Sequence, residues 1–145
     1  MGQPTWRPVR TLDVPEQAGL QWTPALDLVT PGKLLKVEVA VNGTWTPDGF
    51  TVPCGADGDS SGSIQRDNLM VPNAPLGALI GRVGGSTADQ AADANRNMLL
   101  FSVGRFCVLQ IPDTVKGSLF LGVNDRVVCM SRVQGQLSVT ISEAL

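Results

Sequence analysis

The chain of 145 residues contains no histidine and no tyrosine. Without imidazole there is no Ser-His-Asp or Cys-His catalytic group, and no zinc site built on histidine. Cysteine is scarce: Cys54, Cys107 and Cys129 are too few for a disulfide scaffold. Cys107 lies in an apolar run and reads as a small core hydrophobe, whereas Cys54 and Cys129 fall in loops and read as two free thiols. No sign of charge dominates. Lys and Arg number 11 against 13 Asp and Glu, and the basic residues are scattered. Binding driven by phosphate neutralisation is therefore disfavoured, and no nucleic-acid partner is expected. No apolar run reaches the length of a membrane-spanning helix. The segment Met1-Gly2-Gln3-Pro4-Thr5-Trp6-Arg7 lacks the apolar core of a secretory signal, and its spacing does not suit acylation. The expectation is a chain made in the cytosol and exported, if at all, without a cleavable leader, or one already trimmed.

What is present is alternation with a period of two. Leu35, Val37, Val39 and Val41 alternate with Lys36, Glu38 and Ala40. Leu119, Leu121 and Val123 share a face, as do Leu137, Val139 and Ile141. Two β-rich runs, Met98 to Val103 and Arg105 to Ile111, are separated by Gly104, and are read as adjacent strands or as one bent strand. Pro31-Gly32 and Pro112-Asp113 signal turns. The pattern predicts one all-β domain over 1–145, an antiparallel β-sandwich of jelly-roll type. Only Ser86 to Asn95 is Ala-rich and capped, and without an apolar stripe it reads as a loop with a helical turn at most. The long irregular stretch from Asn42 to Pro75 is the expected carrier of binding function.

Four blocks follow one another in the second half: Gly77-Ala78-Leu79-Ile80-Gly81-Arg82-Val83-Gly84, Phe101-Ser102-Val103-Gly104, Gly117-Ser118-Leu119-Phe120-Leu121-Gly122-Val123-Asn124-Asp125 and Gly135-Gln136-Leu137-Ser138-Val139-Thr140-Ile141. Upstream lie Trp45, Gly49 and Gly55-Ala56-Asp57-Gly58-Asp59. This ordered set resembles the calcium-dependent, galactose-specific bacterial lectins of the PA-IL type, from about Val37 to Ile141. The resemblance implies a small β-sandwich, no enzyme activity, and a calcium ion bridging protein to sugar hydroxyls.

Residue by residue, the resemblance keeps the first calcium ligand at Asp125. It puts Asp48 where the family uses a Tyr carbonyl. The family's pair of Asn ligands falls on Arg132 and Val133, which offer no side-chain oxygen. The sugar-contacting His falls near Gly62 and its neighbouring Gln near Gln65. The expectation is therefore a non-catalytic carbohydrate-binding module with no cofactor, or with calcium held at Asp125 and Asp48. The ligand-binding candidates are Trp45, Asp48, Asp59, Gln65, Asn124, Asp125 and Arg132. Arg132 is expected either to replace the ion, its guanidinium fork serving Asp125 and Asp48, or to point into water. Trp45 is expected either to stack on a sugar ring or to pack beneath the loop. Trp6 and Trp22 are expected to cover a sandwich edge or to build an oligomer contact. If the family topology holds, Cys54 and Cys129 lie at the same end, where a disulfide is conceivable.

Two look-alike motifs carry less. Gly58-Asp59-Ser60-Ser61-Gly62 is similar to a serine-protease nucleophile loop, but no histidine exists to act as base. Asp57 to Gly62 resembles the first half of an EF-hand loop, but Asn68 stands where the closing acid belongs; the alternative is an Asx-rich turn. The second expectation for the whole chain is a structural or assembly subunit that keeps the sandwich and has lost the sugar site. It rests on apolar residues expected to face outward, namely Leu34, Phe106, Val108 and Phe120, and predicts a protein partner or homo-oligomer instead of a glycan.

Overall fold

The computed structural model describes residues 5–16, 22–47, 51–59, 69–84, 99–113, 117–125 and 133–145. They form eight strands in chain order: β1 (Trp6–Val14), β2 (Trp22–Leu26), β3 (Leu34–Val39), β4 (Leu79–Val83), β5 (Leu99–Ser102), β6 (Phe106–Gln110), β7 (Leu119–Val123) and β8 (Leu137–Ala144). No helix occurs among the described residues, and none is long and apolar enough to cross a membrane. The strands make two antiparallel four-stranded sheets, ordered β1-β8-β3-β6 and β2-β7-β4-β5. The pairs β1·β8, β2·β7, β3·β6 and β4·β5 are nested, so the chain runs as a ribbon that doubles back on itself.

The alternation read from the sequence becomes the inner face. Leu137, Val139 and Ile141 of β8 are fully buried, as are Leu119 and Leu121 of β7 and Val37 of β3. They meet Leu12, Val14, Leu79 and Val83 in one core between the sheets. Burying each such side chain contributes about 1.5–3 kcal/mol. Val41 departs from the expected strand. The chain turns at Asn42, whose φ is +68°, and Val41 is exposed beyond the end of β3. The runs on either side of Gly104 are two strands, one in each sheet. Gly104, at φ +67°, turns the chain from β5 across to β6. Pro31-Gly32 is a tight turn in which Lys33 N donates to Thr30 O and Gly32 takes φ +82°, as a type II turn requires.

The two outer faces differ. On the second sheet, Trp22, Met70, Ile80 and Phe120 form a separate buried cluster, with Val71 and Leu100 packed against it. This corrects one expectation: Phe120 does point away from the main core, but it is covered. Trp22 takes the first of its two alternatives, packing in the same cluster from the edge strand β2. Arg82 lies in this layer, fully buried, its guanidinium carbon 5.0 Å from the Trp22 ring centroid and 4.1 Å from that of Phe120. On the first sheet Lys36 Nζ lies 5.1 Å from the centroid of the half-buried Trp6 ring and 3.6 Å from Glu38 Oε1. Phe106 and Val108 of β6 remain exposed there, 58% and 46%, as expected, and Leu34 is half-buried.

Candidate functional site

At one end of the sandwich the segments 45–47, 54–59, 70–78, 124–125 and 133–134 are tied together by backbone hydrogen bonds. Trp45 and Cys54 exchange a bonded pair at 3.0 and 2.8 Å, and Thr46 and Gln134 exchange another at 2.7 and 2.8 Å. Asp59 N donates to Leu76 O, Gly77 N to Asn124 O, and Met70 N to Asp125 O, all within 2.8–2.9 Å. Asp59 and Asp125 are therefore both anchored to the loop 70–78, and both are half-buried at the rim.

Asn124 follows the last residue of β7 and is fully buried. Its Oδ1 accepts from Val71 N at 3.0 Å. Its Nδ2 lies within bonding distance of three carbonyls, those of Val71, Ala74 and Pro75, at 3.0, 3.0 and 3.1 Å. Every polar atom of the amide is thus used to hold the loop, which a buried amide requires. Trp45 takes the packing role of its two alternatives. Its ring is 1% exposed and its indole N–H donates to Gly77 O at 2.8 Å. The ring supports the rim from beneath and offers no face to a ligand.

Cys54 is a free thiol, half-buried, with Sγ 3.9 Å from the same Gly77 carbonyl. Burial pushes the thiol above its ordinary value of 9.0, and the neighbouring Asp59 carboxylate pushes it further the same way. Cys107 packs its side chain against the core and is likewise raised, by burial. Asp57 does not close an Asx turn on itself. Its Oδ1 accepts from Arg105 N at 2.9 Å and so ties the rim to the turn between β5 and β6.

Of the candidates, Trp45, Asp59, Asn124 and Asp125 are brought to one end. Asp48, Gln65 and Arg132 lie outside the described residues, as does Cys129. The position aligned with a calcium-ligating Asn, Val133, is buried in the main core. No group of three or more His, Cys, Asp or Glu side chains gathers among the described residues. Calcium takes six to eight oxygens with carboxylates supplying most of the charge; of the two expected ligands, Asp125 is at the rim and Asp48 is outside the described residues. Sequence reasoning missed Gly77, whose carbonyl receives Trp45 Nε1 and whose N–H holds Asn124 O. Its φ of +85° is the property a sequence signal would have had to reveal. No protein-family model matches the chain, and no curated protein matches it in sequence.

Proposed function

We propose that the chain is a non-catalytic, lectin-like carbohydrate-binding module whose calcium dependence is weakened or lost, and whose ligand meets the rim at Asp59 and Asp125. The observation that carries this reading is that Asp59 and Asp125 are both anchored, through their backbones, to the loop 70–78 at one end of the sandwich. Carboxylate oxygens accept hydrogen bonds from vicinal hydroxyls, the chemistry a sugar presents. The nested strand pairing supports the jelly-roll winding expected from the strand pattern, and the two packed sheets agree with the small β-sandwich that the resemblance to PA-IL-type lectins implies. The lack of histidine supports the non-catalytic assignment.

A second reading, a structural subunit that has lost sugar binding, is favoured by one observation. Trp45 and Asn124, the ring and the amide best suited to a sugar, are both spent inside the protein. Retention of the purified chain on a panel of immobilised glycans, in calcium and in chelator, separates the two. Retention that survives the chelator supports the first reading. Failure on every glycan under both conditions supports the second.

A further inference from the structure

We propose that β6 is a self-association edge, through which two copies of the chain pair antiparallel about a two-fold axis at Val108 and join their first sheets into one. A sheet edge is a liability that proteins blunt with Pro, charge, bulges or covering segments. β1, at the far edge of the same sheet, carries Pro8, Arg7, Arg10 and Asp13 and a bulge between Pro8 and Arg10. β2, an edge of the other sheet, carries Pro24 and a bulge between Pro24 and Leu26. β6, Phe106-Cys107-Val108-Leu109-Gln110, has none of these; β5, the fourth edge, shares that lack, but only β6 of the two exposes large apolar side chains. β6 contains no charge and no Pro, and its ladder to β3 has no register shift.

The hydrogen-bonding groups of β6 fall in the order this pairing needs. Val39 N donates to Arg105 O, and Ile111 N donates to Lys33 O. Odd-numbered residues therefore face β3, and the N–H and C=O groups of Phe106, Val108 and Gln110 point to the open edge. Pairing Val108 with Val108 of a second copy sets Phe106 opposite Gln110 and matches these groups over the whole strand. The same three residues carry the exposed side chains, so the exposed Phe106 and Val108 are covered in the same step.

Charge selects the antiparallel sense. The neutral strand is flanked by Arg105 at one end and Asp113 at the other, both exposed and neither in an ion pair among the described residues. About the Val108 axis, Arg105 of one copy stands opposite Ile111 of the other, two residues before the exposed Asp113, which lies past the end of β6 in the turn beside Gly32. A parallel pairing would set Arg105 against Arg105.

Sedimentation velocity on the full chain, from micromolar to millimolar protein, tests this together with amide exchange. The expected result is a concentration-dependent dimer in which the Val108 amide becomes protected as the dimer fills. Val108→Lys sets two like charges on the axis and is expected to weaken the dimer at least about tenfold, with an unchanged circular dichroism spectrum. Arg105→Glu and Asp113→Arg are each expected to weaken it, and the double charge swap to restore it. A monomer throughout, a Val108→Lys dimer as tight as the wild type, or a dimer in which the Val108 amide still exchanges freely overturns the proposal. None of these outcomes depends on sugar binding at the rim.

Discussion

Arg82 on β4 and Phe120 on β7 are register partners, and the guanidinium carbon lies 4.1 Å from the centroid of the phenyl ring. The Trp22 ring is 5.0 Å away, and Arg82 is fully buried. The second sheet thus carries a thin outer core built around a cation. A planar guanidinium stacks on aromatic faces in a way an ammonium does not. Arg82→Lys is expected to destabilise the fold by about 1–2 kcal/mol despite keeping the charge. Urea denaturation measures it, and an unchanged midpoint would show that the ring contacts contribute nothing.

Asn124 should behave as a structural brace. Asn124→Ala removes the partner of Val71 N and of Ala74 O in a buried setting, and one of the two donors to each of the Val71 and Pro75 carbonyls, which keep Ala74 N and Ala78 N. A loss of about 3 kcal/mol is expected from those unsatisfied groups. Hydrogen exchange should accelerate at Gly77 and Met70, whose amides bond the backbone carbonyls of residues 124 and 125. Exchange no faster than in the wild type would mean that the loop is held by other contacts.

Gly58 sits where two rim segments nearly touch. Its φ is +83°, and a Cβ there would lie 2.8 Å from Ala78 N and 2.9 Å from Leu76 O. Both obstacles are backbone, so neither can swing aside. Gly58→Ala is expected to cost more than the roughly 1 kcal/mol of a left-handed alanine alone, read as a lowered melting temperature. A variant as stable as the wild type would contradict the close approach of segments 55–59 and 76–78.

The Cys54 thiol gives a pH dependence with a definite sign. Its folded pKa is raised, by burial first and by Asp59 second. The resulting stability is fully present below the ordinary thiol value of 9.0 and is lost as pH rises through the folded value. Cys107 adds a decline of the same sign. Cys54→Ser should therefore flatten the alkaline loss of stability in part. Superimposable profiles for the two proteins between pH 8 and pH 11, roughly the span of an ordinary and a raised thiol, would remove Cys54 from the account.

Much of the sandwich was legible because its inner strands are simple. β8 shows Leu137, Val139 and Ile141 inward with Ser138 and Thr140 outward, and the structure follows that pattern. The N-terminal strands were not legible. In β1 the bulge between Pro8 and Arg10 breaks the period, and Arg10 turns its guanidinium across to Ala25 O. β2 contains Pro24 and packs on both faces, Ala25 toward the main core and Trp22 into the second cluster. The site was half legible. The neighbours Asn124 and Asp125 are both polar and both plausible ligands by type. Only the loop folded over β7 makes the first an internal brace and leaves the second half-buried at the rim. Nothing local in the sequence reports that difference, because it depends on carbonyls about 50 residues away.

The most direct test compares the wild type with the Asp59→Asn/Asp125→Asn double variant on a glycan array in the presence of chelator, after circular dichroism has shown both to be folded. The account predicts that the wild type binds at least one hydroxyl-rich glycan without calcium, and that the double variant loses that signal. A folded double variant that binds as strongly as the wild type, or a wild type that binds nothing, would contradict it.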